Sequence, residues 1–212
     1  MMSEVGKQII KAIDELVKQD LLFAKGGNLS ARYGKDLLIV TASGKDYSTV
    51  REEDLILTDY EGKMVKGEKK PSSELPLHIE IYKHRPDVQA IIHTHANWPY
   101  VLSVCHEKLP VISDEFAILM GGAVEVSEYK FPGTKELGES VVAALGNRYA
   151  ALIANHGCVT VGRNVDEALE NMVVLANFSK VYVIAKAFGI PKTLPDWVVT
   201  KEMEIFKAYH NL

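Results

Sequence analysis

Residues 29–33 and 37–41 look like short strands joined by Gly34-Lys35-Asp36, and residues 55–58 and 64–65 are joined by Asp59-Tyr60-Glu61-Gly62-Lys63. Such connections suit hairpins and are far too short for the crossover of about a dozen residues that parallel neighbours need. The first third of the chain is therefore expected to be antiparallel sheet. Ahead of it, residues 3–22 carry Ile9, Ile10, Ile13, Leu16 and Val17 at three-to-four spacing with polar residues between, which is one apolar stripe on a helix.

Downstream the pattern changes. Pro71-Ser72-Ser73-Glu74 offers a proline stop, a serine cap and an acid for the first turn, and predicts a helix that ends near His84-Arg85-Pro86. Residues 88–95 read as a strand, 98–105 as a short helix, and 111–120 and 123–127 as strands around Gly121-Gly122. Residues 134–145 read as a helix, 150–154 as a strand running into Asn155-His156-Gly157, and 166–188 as a long helix. No repeat or linker interrupts this order. The expected fold class is α/β, with a mixed, mostly antiparallel central sheet covered by helices, in a single domain over residues 1–212.

With 47% hydrophobic and 25% charged residues, the chain can bury a sizeable core. Its formal charge of −4 comes without a Lys/Arg-rich block to track a phosphate backbone, so no nucleic-acid partner is expected. The most apolar stretch, residues 172–189, is broken by Asn177, Ser179, Lys180 and Lys186, and reads as a buried helix with no membrane role. The opening MMSEVGKQ lacks an apolar run of signal-peptide type, which makes the cytoplasm the default location; Cys105 and Cys158 are expected as free, buried thiols.

His93 and His95 stand two apart at a strand end, where the period of two puts both imidazoles on one face. His156 lies at a second strand end, next to a glycine that lets another group approach the backbone. Three histidines and an open position are what a catalytic zinc uses. The His-x-His pair by itself is weak support, because strand ends carry histidines for no reason; the second strand end raises the metal reading. Glu74 is the natural fourth group, although the helix dipole alone favours a carboxylate there.

Ser72 and Ser73 supply hydroxyls beside free N–H groups, and Gly26-Gly27-Asn28 and Ser43-Gly44 are further donor-rich turns. Each alone reads as a turn; together they allow a loop-built phosphate cradle. His78, a turn after Glu74, reads as support for the site or as surface, while His84, His106 and His210 have no partner by spacing. Trp98, Tyr100, Val173, Val174, Phe178, Val181, Tyr182 and Ile184 read as core.

Gly27-Asn28-Leu29-Ser30, Thr41-Ala42-Ser43-Gly44, Pro71-Ser72-Ser73-Glu74, His93-Thr94-His95 and Asn155-His156-Gly157, in that order, resemble the class II aldolase/adducin family. The resemblance covers nearly the whole chain, and the length suits the L-fuculose-1-phosphate aldolase branch. It implies a zinc enzyme, with manganese or cobalt as alternatives, in which Glu74, His93, His95 and His156 hold the metal and Asn28, Ser43, Gly44, Ser72 and Ser73 hold the substrate phosphate. It further implies reversible cleavage of a ketose 1-phosphate into dihydroxyacetone phosphate and a small aldehyde such as lactaldehyde. In that chemistry the metal stabilises an enediolate as a Lewis acid, and the glutamate leaves the metal to move the C3 proton. The resemblance also implies a homotetramer with active sites between subunits, and Tyr209, in the tail Phe206-Lys207-Ala208-Tyr209, as proton donor to the aldehyde oxygen.

One departure concerns the aldehyde. The family's other catalytic tyrosine would fall near Asp114, where this chain reads Ile112-Ser113-Asp114-Glu115-Phe116, so Asp114 or Glu115 is a candidate replacement. Two sister reactions compete: an L-ribulose-5-phosphate 4-epimerase, which usually has aspartate where Glu74 stands, and a methylthioribulose-1-phosphate dehydratase, which shares the histidines. Adducin head domains, which bind cytoskeletal partners without metal, and a generic metallohydrolase are the readings from other classes.

Overall fold

The computed structural model describes residues 4–210, apart from the side chains of Tyr209 and His210. Its strands are β1 (Asn28–Tyr33), β2 (Leu37–Thr41), β3 (Leu55–Asp59), β4 (Met64–Lys66), β5 (Ala90–Thr94), β6 (Ala150–Ile153) and β7 (Gly157–Gly162). Its helices are α1 (Glu4–Lys18), α2 (Leu75–His84), α3 (Asn97–Val104), α4 (Asp114–Met120), α5 (Lys135–Leu145), α6 (Val165–Phe188) and α7 (Asp196–His210). The strands form one seven-stranded sheet in the order β4-β3-β2-β1-β5-β7-β6, and every pairing between them is antiparallel. An isolated bridge from Val126 to Leu152 is parallel.

Both faces of the sheet are covered. Ile9, Ile13 and Leu16 of α1 and Met172 and Leu175 of α6 pack with Leu29, Ile92 and Cys158 on one side. Leu77 and Ile81 of α2 and Leu137 and Val141 of α5 pack with Val40, Ile91 and Val159 on the other. Alternate residues of each strand thus enter opposite cores, which is why β5, buried at all five positions, reads as an uninterrupted apolar run. Complete burial of one such Leu or Ile contributes about 1.5–3 kcal/mol, so β5 is among the best-anchored parts of the molecule. Position 3, the expected start of the first helix, lies outside the described residues.

Several expectations need correction. Residues 111–120 are not a strand: Ser113 accepts a hydrogen bond from the Phe116 N–H as N-cap, Asp114 and Glu115 fill the first turn, and Gly121 closes α4 at φ 74°. Residues 123–127 make only isolated bridges, at Val124 and Val126. β7 and α7 are additions to the elements expected from sequence; Val159-Thr160-Val161 is a β-branched buried run that follows its hairpin turn closely.

Cys105 is exposed, and only Cys158 is a buried thiol. Among the described residues α6 is the one helix long and apolar enough to span a membrane. Its inner face, including Ala168, Met172 and Leu175, lies in the core, but Val181, Ile184 and Phe188 are exposed, as is Tyr100 on α3. The expected core positions Trp98, Val173, Val174 and Phe178 are half-buried, and Tyr182 is buried with its hydroxyl donating to Glu107.

Candidate active site

The sheet register assembles the site. β1 pairs with β5 so that Asn28 stands opposite His93, and β5 pairs with β7 so that Thr94 stands opposite Cys158. Between β6 and β7 a tight hairpin turn, with Asn155 left-handed at φ 54°, brings His156 back to the end of β5. His106 donates to Asn155 Oδ1 across 2.6 Å and ties that turn down, a partner that spacing did not reveal. The ring centroids of His93, His95 and His156 lie 4.9–5.1 Å apart, and one nitrogen of each falls within 4.8 Å of the others.

Two glycines allow this approach. Gly27 has φ +89°, and a Cβ on it would sit 2.5 Å from the His93 carbonyl oxygen. A Cβ on Gly157 would sit 2.4 Å from the Thr94 carbonyl oxygen. Both clashes are with backbone, so neither position accepts a side chain without moving the histidine-bearing strand.

Glu74 arrives from the other side as N-cap residue of α2, yet its side chain makes no cap hydrogen bond. Instead Oε2 lies 3.2 Å from His93 Nε2 and 3.5 Å from His156 Nε2. Neither contact is an aligned hydrogen bond: Glu74 Oε2, His93 Nε2, His95 Nε2 and His156 Nδ1 are all buried without a partner. Buried polar atoms are otherwise satisfied almost everywhere in proteins, and several orphans on neighbouring side chains are what a cation site leaves. His93 Nδ1 donates to the Cys158 carbonyl across 2.8 Å, which fixes the ring and leaves its Nε2 facing Glu74.

The protonation states suit the same purpose. Burial, then the neighbouring His93 and His156, lowers the His95 imidazole to about 4; burial, then His93, lowers His156 to about 4. Burial would raise the Glu74 carboxyl, but contact with His93 and the charge of the surrounding imidazoles outweigh it and hold the carboxyl below its ordinary value. At neutral pH Glu74 is a carboxylate and the His95 and His156 imidazoles are neutral, so these three offer lone pairs that a divalent cation accepts without proton loss.

Beside this cluster, Lys25, Gly26, Gly27, Asn28, Ser43, Gly44, Tyr47, Ser72 and Ser73 line a cavity of about 160 Å³ whose wall includes Glu74 and the three histidines. Thus the donor-rich turns, far apart in sequence, converge. The Ser43 N–H donates to Lys70 and the Ser72 N–H to Thr41, which joins two of the turns; the Tyr47 hydroxyl donates to the Gly27 carbonyl across 2.7 Å, which anchors the third. Burial pushes the Tyr47 phenol up to about 12, so it stays a neutral donor.

Tyr47 and Lys25 are members of this wall that the sequence motifs do not single out. His78, expected as support or surface, is wholly buried between Asn28 and Ser30. Asp114 and Glu115 are exposed on the first turn of α4 and are not among the residues lining this cavity. Tyr209 falls in the last turn of α7, and its side chain lies outside the described residues, as does that of His210.

Residues 7–183 match the Class II Aldolase and Adducin N-terminal domain, and the chain belongs to that family. Within it the chain stands among the enzymes, class II aldolases, which are metal-dependent lyases. A 5-methylthioribulose-1-phosphate/5-deoxyribulose-1-phosphate aldolase of Rhodospirillum rubrum is 33% identical over 95% of this chain and 90% of its own length. An L-fuculose phosphate aldolase of Escherichia coli (strain K12) is 31% identical over 98% of this chain and 96% of its own. A solved L-fuculose 1-phosphate aldolase superposes with a TM-score of 0.92 at 37% identity, covering 98% of each chain.

Proposed function

We propose that residues 1–212 act as one catalytic domain that reversibly cleaves the C3–C4 bond of a ketose 1-phosphate, releasing dihydroxyacetone phosphate and a small aldehyde. The observation that carries this reading is the shared cavity: His93, His95, His156 and Glu74, each with one buried atom left without a partner, form one wall, and the serine and glycine turns form the rest. A metal site alone would fit a hydrolase; a phosphate cradle alone would fit any sugar-phosphate binder. Side by side they fit a substrate whose phosphate sits a fixed distance from a carbon acid.

In this reading His93, His95, His156 and Glu74 hold a divalent cation, zinc by ligand type, with manganese or cobalt as alternatives. When bound, the cation supplies Lewis-acid polarisation of the substrate carbonyl. Asn28, Ser43, Gly44, Ser72 and Ser73 bind the phosphate and so fix the orientation of C3. In the condensation direction the Glu74 carboxylate takes the C3 proton, and Tyr209 donates a proton to the aldehyde oxygen as the new bond forms. Cleavage runs the same transfers backwards.

The names of the relatives bracket the substrate. L-Fuculose 1-phosphate, cut between C3 and C4, yields lactaldehyde; 5-deoxyribulose 1-phosphate, cut at the same bond, yields acetaldehyde. Asp114-Glu115 in place of the family tyrosine supports an aldehyde subsite of different chemistry, completed from a neighbouring subunit. A homotetramer with sites between subunits is supported by the apolar surface that one protomer leaves bare, including Val101 and Val104 of α3 and Val181 and Phe188 of α6. Sedimentation as a monomer at assay concentration would contradict it. The free thiols Cys105 and Cys158 suit a cytoplasmic location.

The test is to incubate the metal-loaded protein with each ketose 1-phosphate and to assay dihydroxyacetone phosphate by coupled reduction. Release from at least one substrate, abolished by chelator, is expected. Loss of water from the sugar, or inversion at C4, with no triose phosphate formed, would replace the aldolase reading with the dehydratase or the epimerase.

A further inference from the structure

We propose that His78 is a positioning residue for anion binding: a one-way chain of hydrogen bonds from Tyr82 through Ser30 and His78 turns the Asn28 carboxamide so that its NH2 group faces the cavity. The inference rests on the phosphate reading of that cavity. Asn28 and Ser30 share one face of β1, and His78 and Tyr82 lie one turn apart on α2, which packs over that face. Ser30 Oγ is 2.9 Å from the Tyr82 hydroxyl and 2.6 Å from His78 Nδ1, and His78 Nε2 is 2.5 Å from Asn28 Oδ1. All four side chains are buried, none more than 3% exposed.

The far end sets the direction. Among the described residues Ser30 Oγ is the one hydrogen-bond partner of the buried Tyr82 hydroxyl, so the phenol proton goes to Ser30. Ser30 then has one acceptor left for its own proton, His78 Nδ1. That makes Nε2 the protonated nitrogen of a neutral ring, and Asn28 Oδ1 its acceptor. The carboxamide is held by its oxygen, and Nδ2, with no protein partner among the described residues, remains as a two-proton donor at the cavity wall. Reversed, the chain would present a carbonyl oxygen to an anion and strand the Tyr82 proton in the core.

The test uses ring ¹⁵N correlation spectra of His78 in the metal-loaded protein, with inorganic phosphate titrated while the Asn28 side-chain amide is followed. An Nε2-protonated neutral ring and an Asn28 NH2 signal that moves with phosphate are expected. His78→Leu should bind phosphate about tenfold or more weakly, the worth of one hydrogen bond to a charged group. His78→Gln, which keeps one donor and one acceptor, should recover most of the loss. If His78→Leu does not fold, Tyr82→Phe, which deletes the proton that sets the direction, should admit the Nδ1-protonated ring and weaken phosphate in the same sense. An Nδ1-protonated ring in the unaltered protein, or unchanged phosphate binding in the His78→Leu or Tyr82→Phe variant, overturns the proposal. Failure of the underlying reading looks different: the unaltered protein binds no phosphate at all, or Asn28→Ala binds it as well as the unaltered protein, and the anion role of the chain falls with it.

Discussion

Glu74 Oε2 and His93 Nε2 stand 3.2 Å apart, both buried and neither in an aligned hydrogen bond. On the proposed reading that gap, with His95 and His156 beside it, is where a cation and a proton-transferring carboxylate meet.

Replacing the carboxylate should separate those two tasks. Glu74→Gln keeps one oxygen and the three histidines, so much of the metal should stay, but C3 proton exchange should slow by about two to four decades, the usual worth of a general base. Metal content by mass spectrometry and exchange by proton NMR check both halves. Full activity in Glu74→Gln would make another group the base. His95→Ala, in contrast, should release the metal itself.

The close approach of Gly157 to β5 gives a second expectation. In Gly157→Ala the new methyl meets the Thr94 carbonyl oxygen at 2.4 Å, and backbone cannot step aside as a flexible side chain would. The protein should lose about 1–3 kcal/mol of stability and bind metal more weakly, because the turn carrying His156 must shift. Thermal unfolding together with a metal titration measures this; native metal affinity in the alanine variant would show that the turn tolerates the shift.

How much of this was legible in the sequence differs by element. The strand-end histidines, Glu74 and the glycine turns could be read because the period of a strand and the start of a helix put specific atoms on specific faces. β1 through β4 were legible from short strand-like segments on either side of hairpin turns, and α6 from its apolar length. α4 was misread because Phe116 to Met120 is apolar enough for a strand, although Ser113-Asp114-Glu115 and Gly121 spell a cap and a stop. The chain from Tyr82 to Asn28 was not legible at all, since Ser30 and His78 are 48 residues apart and only the packing of α2 on β1 joins them. The exposed apolar positions on α3 and α6 look identical to core in sequence, because apolarity does not say which neighbour supplies the burial.

Asp54 gives a prediction about pH. It is fully buried, accepts the Arg51 N–H across 2.9 Å, and meets the ammonium groups of Lys45, at 3.2 Å, and Lys69. Burial would raise its carboxyl; the hydrogen bond from Lys69, the Arg51 N–H and Lys45 outweigh that and lower it. A carboxyl depressed in the folded state contributes stability that is complete above its unfolded value near ~3.9 and is lost as pH falls through the folded value. Asp54→Asn should therefore cost about 1.5–3 kcal/mol near neutral pH, and the gap between the two proteins should shrink in acid. Urea unfolding at a series of pH values checks the sign; a gap that stays constant into acid would mean that Asp54 acts through packing alone.

The aldehyde side turns on α4. If Asp114 or Glu115 takes the place of the family tyrosine, Asp114→Asn or Glu115→Gln should lower turnover and change the stereochemistry of the new carbons while leaving C3 proton exchange intact. Product NMR reads both. Unchanged turnover and stereochemistry in both variants would remove these residues from the aldehyde subsite.

The most direct measurement is proton NMR of dihydroxyacetone phosphate in deuterium oxide with the metal-loaded protein and no aldehyde. Stereospecific exchange of one C3 hydrogen, stopped by chelator, is the expected result, because on the proposed reading Glu74, the cation site and the phosphate cradle suffice for that half-reaction. A folded, metal-loaded protein that leaves both C3 hydrogens in place would contradict the aldolase assignment.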